Sequence, residues 1–266
     1  IWKSFNCSDR VNIKLNRSQK LIVNDLFLKS RKELKSKQDV YEYSVMGYWI
    51  GVDIYETYLK SGQPTINFAD EKFWDSVMEG IEYLIFWNDY LESKRVAAVI
   101  LSHDCYNSMN ILAKVAYKHN VPVYLPNPRG LDRSFKPFSL YADKFRSYRS
   151  EFKKLHHCVR EKALKWSAKQ LERRLGGEVG VDMHYSKASA FHSNQSEKPI
   201  LRTSNKLKVV IYTHCFYDNP HGYGGLLFLD FYEWLKFLGN IAEETDYDWY
   251  VKLHPDSLPG TTECVN

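Results

Sequence analysis

Histidine and aspartate crowd one short stretch of this chain. Thr213-His214-Cys215-Phe216-Tyr217-Asp218-Asn219-Pro220-His221-Gly222 sets His214, Asp218 and His221 at i, i+4 and i+7. On a helix that spacing would gather three metal ligands on one face. Pro220 and the glycines Gly222, Gly224 and Gly225 argue for a loop instead, so no metal is assigned. Loop histidines suit an anion, because imidazole donates a hydrogen bond whether neutral or charged. The bland alternative is that Asp218 or Asn219 merely caps the next helix. Further on, Lys252-Leu253-His254-Pro255 closes an apolar segment. There His254 can donate to a phosphate beside Lys252 while Pro255 fixes the turn; a plain strand-to-loop His-Pro is the alternative.

Two further sets carry chemistry. Ser102-His103-Asp104 follows the apolar run Val96-Ala97-Ala98-Val99-Ile100-Leu101. Neighbouring side chains alternate along a strand, so these three cannot form a relay among themselves. Either His103 or Asp104 can face a cleft as a base or as a ligand for an acceptor hydroxyl; the alternative is a polar strand end that caps the next helix. Asp53 and Glu56 lie on one side of a helical turn, as a second acid pair or as simple helix N-terminal charge.

The elements that must position these groups follow from periodicity. Leu207–Tyr212 and Asp248–Leu253 read as strands, with a helix over Leu226–Glu244 between them. Arg95–Leu101 and Val121–Leu125 read as strands flanking a helix over Asn107–His119. Both sets are β-α-β units with short connections, which implies parallel sheets. Helices are also expected over Gln19–Lys35, from Asp53 onward, over Asp70–Tyr90, and over the basic stretch Phe152–Leu175, ended by Gly176-Gly177. Pro126 to Gly130 breaks the pattern. The chemistry-bearing residues thus fall at carboxyl ends of strands, where open α/β sheets bind ligands. The expected fold is α/β, with two Rossmann-like domains. Residues 1–150 form the first, 151–205 a helical connector and linker, and 206–266 the start of a second, truncated one.

Composition narrows the class. A formal charge of +5 on 266 residues is a mild excess. It fits a nucleotide ligand or an anionic membrane face and gives no nucleic-acid binder. Five cysteines without a CxxC pair suggest reduced thiols and a cytoplasmic setting. No run of about 18 apolar residues is present to span a membrane. The glycines match neither the dinucleotide fingerprint nor the P-loop, which sets aside dehydrogenases and kinases.

The pattern Tyr-Thr-His-Cys-Phe-Tyr-Asp-Asn-Pro-His, the aromatic run Phe228-Leu229-Asp230-Phe231-Tyr232-Glu233-Trp234-Leu235 and Asp248-Trp249-Tyr250-Val251-Lys252-Leu253-His254-Pro255 together resemble a family. They look like bacterial capsule and surface-polysaccharide glycosyltransferases of the GT-B fold, in the His-Pro group with sialyltransferases and Kdo transferases. The resemblance implies a nucleotide-sugar donor, CMP-linked in part of that group, and a glycan or lipid-linked glycan acceptor. It implies no cofactor, and a cytoplasmic location with peripheral association at the inner membrane face. It gives His254 the donor phosphate; His214, Asp218, His221 and Lys252, read from their own chemistry and strand-end positions, are the further donor-side candidates. The acceptor side would carry the base, drawn from Asp104, His103 and Asp53. Two other readings stay open: a metal-dependent hydrolase using His214, Asp218, His221 and His254, and a non-catalytic nucleotide-sugar-binding protein of the same fold.

Overall fold

The computed structural model describes residues 11–127, 130–134, 147–181, 189, 191, 201–224 and 226–253. The chain is α/β, with more helix than strand and small sheets. It gathers into two compact units. The first contains the described residues before 141 together with Cys215–Leu238. The second contains those from 147 to His214 and from Gly239 to 253.

In the first unit, helix α1 (Arg17–Glu33) starts at a capping box in which Asn16 and Gln19 satisfy each other's backbone N–H. Helix α2 (Lys37–Glu42) repeats the device with Ser36 and Asp39. A hairpin follows, β1 (Ser44–Val45) against β2 (Tyr48–Trp49), turning through Met46 and Gly47, both at positive φ. Two residues with φ > 0 match the twist of a two-residue hairpin loop. The sequence reading gave no hairpin here. The hairpin delivers the chain to α3 (Gly51–Lys60), in which eight of ten residues are buried, so this short helix is the centre of the unit rather than a surface element.

Helix α4 (Glu71–Ser93), capped by Asp70, lays Phe73, Trp74, Val77, Ile81, Leu84 and Ile85 over that core. Two glycines permit the close packing. A Cβ on Gly51 would stand 1.9 Å from the Val40 carbonyl oxygen, and one on Gly80 would stand 2.9 Å from Ile54 Cγ1.

Strand β3 is shorter than its apolar run suggests, Val99–Ile100 only. It pairs in parallel with β4 (Val123–Asn127), as the β-α-β reading expects. The connecting helix differs from expectation at its start. Tyr106–Asn110 is a π-helical turn, and the α-helix α5 runs Ile111–Lys118. The break after Pro126 is a hairpin rather than a departure from the sheet. Strand β5 (Gly130–Ser134) returns antiparallel to β4, so this sheet is mixed and not purely parallel.

The second unit holds α6 (Tyr148–Lys154) and α7 (His157–Leu175), two helices where one was expected. Leu155 and His156 adopt extended ψ between them and break the helical run. Gly176 and Gly177 close α7, with Gly177 in the left-handed region and Gly176, Gly177 and Glu178 N–H groups returning to the last turn. Strands β6 (Lys208–Tyr212) and β7 (Asp248–Lys252) pair in parallel. Helix α8 covers Phe231–Glu244, five residues later than its apolar pattern begins. Asp230 sets the start, its Oδ1 accepting the Glu233 N–H at 2.9 Å.

Candidate functional site

A buried helix that carries two acids must pair them, because an isolated charge in an apolar core is prohibitively costly. Helix α3 carries Asp53 and Glu56, each about 1% exposed. Asp53 receives Lys114 Nζ from α5 at 2.6 Å and Asn110 Nδ2 from the π-turn at 2.7 Å. Lys114 also donates to the Trp49 carbonyl and lies 5.0 Å over the Trp49 ring. Burial pushes the Asp53 carboxyl up from its ordinary range, and the Lys114 ammonium opposes that rise.

Glu56 holds the loop that precedes α8. Its Oε1 accepts the His221 backbone N–H at 2.8 Å and faces His221 Nδ1 at 2.5 Å. His221 Nε2 is 2.8 Å from the Leu229 carbonyl, which can only accept, so Nε2 carries a hydrogen. One proton is then shared between Nδ1 and Oε1, as an ion pair or as a neutral acid and imidazole. Tyr41 and Tyr55 flank the imidazole, with ring centroids at 5.4 and 4.8 Å. Glu56 Oε2 is buried without a hydrogen bond. Burial pushes the Glu56 carboxyl up, against the pull of His221. The same loop is fastened a second time through Asp230, whose Oδ2 accepts from Tyr55 and Thr65 hydroxyls, each at 2.5 Å. Lys37 Nζ stands 3.5 Å from that oxygen.

Above this buried layer the chain leaves β3. Ser102 and His103 are exposed and Asp104 is half-buried. Ser102 Oγ lies 2.9 Å from His103 Nδ1. Tyr106 has φ +65, a strained setting for an aromatic residue, and a π-turn follows immediately. Helix α3 supplies the anchors along one face, at i, i+4 and i+7. Asp53 takes Asn110, Thr57 Oγ1 accepts the Asn107 N–H at 2.9 Å, and Lys60 Nζ donates to Tyr106 Oη at 3.1 Å while sitting 4.4 Å over its ring. Tyr106 Oη donates in turn to Asp218 at 3.3 Å. Burial raises the Tyr106 phenol and pushes the Cys105 thiol up to about 12, so Cys105 stays a thiol near neutrality and is no nucleophile.

The residues singled out from sequence therefore separate into groups. His103 is exposed and Asp104 half-buried in the loop after β3. Asp53, about 1% exposed and engaged by Lys114 and Asn110, is out of reach of a ligand in solvent. Asp218 reaches the β3 loop through Tyr106. His221 is engaged by Glu56 and Leu229. His214 and Lys252 belong to the second unit, at the ends of β6 and β7, where Thr213 N–H meets the Lys252 carbonyl at 3.0 Å. His254 lies outside the described residues. Sequence reasoning missed Lys60, Tyr106, Asn107, Asn110, Lys114 and Asp230. The polar stripe Asp53, Thr57, Lys60, at one-face spacing on a helix with Glu56 as its other acid, is the signal that could have found their partners.

His221 offers no open ring nitrogen to a metal. Both ring nitrogens of His221 are committed, so ligation would have to break the Glu56 pair or the Leu229 bond. Among the described residues the one group of three metal-ligating side chains within reach of each other is His156, His157 and Cys158, none of them in that set. Comparison with family models, with curated proteins and with solved structures gives no match.

Proposed function

We propose that the protein is a glycosyltransferase that moves a sugar from a nucleotide-sugar donor to a hydroxyl of a growing capsular or surface polysaccharide. The observation that carries this reading is the loop after β3. His103 and Asp104 lie at the carboxyl end of a parallel strand, just before Tyr106, Asn107 and Asn110, which Lys60, Thr57 and Asp53 of α3 hold in place. In the proposed GT-B arrangement the first unit takes the acceptor. Asp104, or His103, accepts the proton of the attacking hydroxyl. The new C–O bond forms at the anomeric carbon as its bond to the donor phosphate breaks, and the nucleotide departs with the electron pair. His254 supplies a hydrogen bond to that phosphate, in the role the family resemblance gives it, and Lys252 and His214, at the strand ends, supply further ones.

The test is turnover of CMP-, UDP-, GDP- and CDP-sugars by the protein, without added metal and with a glycan acceptor. One donor class is expected to be consumed in an acceptor-dependent way. Asp104→Asn or His103→Ala is expected to lower that rate by about 10²–10⁴, the usual worth of a general base. Binding of a nucleotide sugar without turnover would replace this reading by the non-catalytic one.

A further inference from the structure

Helix α7 opens on three consecutive metal-ligand types, His156 at its N-cap and then His157 and Cys158 in its first turn. Successive side chains on a helix point about 100° apart and diverge. Here they converge, because the chain is extended where it enters the helix, with ψ 145 at Leu155 and ψ 144 at His156. The His156 and His157 rings stand 4.3 Å apart between centroids. Cys158 Sγ is 3.2 Å from His157 Nε2. One ligand atom from each of the three lies within 4.8 Å of the other two. All three side chains are exposed, and His156 makes no capping hydrogen bond. Among the described residues the three touch each other and have no other polar partner, so the fold makes no use of them. A tetrahedral ion with Zn–N bonds of about 2.0–2.1 Å and a Zn–S bond of about 2.3 Å holds its ligand atoms about 3.3–3.6 Å apart. Closing the group around such an ion takes shifts of up to about 1.5 Å, which exposed side chains make by adjusting their rotamers.

We infer that His156, His157 and Cys158 form a binding site for Zn²⁺ at the start of α7, with two imidazoles and a thiolate as ligands and solvent in the fourth position. The ligand set decides the metal. Ca²⁺ and Mg²⁺ want several oxygens, and Glu161 is the one carboxylate within four residues of the group. The neighbours Lys153, Lys154, Arg160 and Lys162 are cationic, so no negative field gathers hard cations here. Affinity has to come from directional bonds to nitrogen and sulfur, which Zn²⁺ forms and the hard cations do not. As the sulfur takes the metal, the thiol proton leaves to solvent, so binding weakens as pH falls. Consecutive ligands bridge no distant segments. The ion therefore does not hold the fold together, unlike the structural zinc of a small domain, and it exchanges with solution. The site uses none of His214, Asp218, His221 and His254 and supplies nothing to the proposed transfer, so it stands whether or not that reading does.

The experiment titrates Zn²⁺ into reduced, metal-stripped protein against a chromophoric chelator, with Co²⁺ in a parallel titration as a spectroscopic stand-in. The protein is expected to take up Zn²⁺ in the presence of excess Mg²⁺ and Ca²⁺. Bound Co²⁺ is expected to show a sulfur-to-cobalt charge-transfer band in the near ultraviolet, which reports a thiolate ligand. Cys158→Ser is expected to abolish that band. Cys158→Ser and His156→Ala/His157→Ala are each expected to weaken Zn²⁺ binding by more than about 100-fold, beyond the 10–100-fold that loss of an outer partner of a ligand costs. Each substituted side chain is exposed, so the variants are expected to keep the circular dichroism and melting temperature of the wild type. Failure of the wild type to bind Zn²⁺, absence of the charge-transfer band, or wild-type affinity in Cys158→Ser would overturn the inference. Binding that survives in Cys158→Ser but is lost in His214→Ala/His221→Ala would also overturn it, and would assign the ion to the loop after β6.

Discussion

Asp53 and Lys114 each occupy a site that would be untenable without the other. Removing one partner of such a buried pair leaves a bare charge and typically costs about 3–5 kcal/mol, whereas replacing both by apolar groups can be nearly neutral. Asp53→Leu and Lys114→Met are each expected to lower the urea midpoint sharply, and the double variant to recover much of the loss. Additive losses would show that the two side chains do not act as a pair. The raised carboxyls give a pH signature. Folded Asp53 and Glu56 hold protons more tightly than their unfolded counterparts, whose ordinary values are 3.8 and 4.5. Their contribution is therefore fully present below the unfolded values and lost as pH rises through the raised ones. Glu56→Gln should flatten that part of the decline in melting temperature with pH; an unchanged slope would remove Glu56 from the account. Sequence marked Asp53 and Glu56 as acids on one side of a helical turn. Their partners Lys114 and His221, 61 and 165 positions away, were not legible, because the pairing exists only once α5 and the loop before α8 pack on α3.

Among the elements, strands were read well where alternation met a flanking turn, and less well where an apolar run outlasts its sheet partner. Arg95–Leu101 has the composition of a strand along its length, yet only Val99 and Ile100 find ladder partners on β4. Leu226–Leu229 mimic helical spacing, but Asp230, followed three residues later by Glu233, is a capping signature that places the helix start at Phe231. Asp230 also binds Tyr55 and Thr65, so Asp230→Ala removes a cap and two clasps together. It is expected to speed amide exchange through 215–238 far more than in α4; uniform protection would deny it the clasp. Gly51 is a second element-scale test. Its hypothetical Cβ meets backbone, which cannot swing aside, at Val40, Tyr41 and Tyr43. Gly51→Ala is accordingly expected to give little folded protein, while the exposed Lys32→Ala behaves as wild type. His119, just after α5, is half-buried with Nε2 3.2 Å from Asn88 Oδ1, and would be a poor neutral control.

At the scale of the molecule, two compact units divide the chain, and their limits differ from boundaries at 150 and 205 drawn from the order of expected elements. The segment Cys215–Leu238 is the reason. Its sequence continues β6, but Glu56 and Asp230 tie it into the first unit, and no local pattern announces a tie across so many positions. In the proposed reaction the β3 loop of the first unit would carry the base, and the strand ends of the second unit would meet the donor phosphate. The most direct measurement is the rate of nucleotide-sugar consumption with a glycan acceptor, in wild type and His254→Ala, with and without a chelator. The account predicts acceptor-dependent turnover that a chelator leaves intact and that His254→Ala lowers by about 10²–10³, as loss of one donor to a developing anionic charge does. Wild-type turnover in His254→Ala, or activity abolished by the chelator and restored by added Zn²⁺, would contradict it.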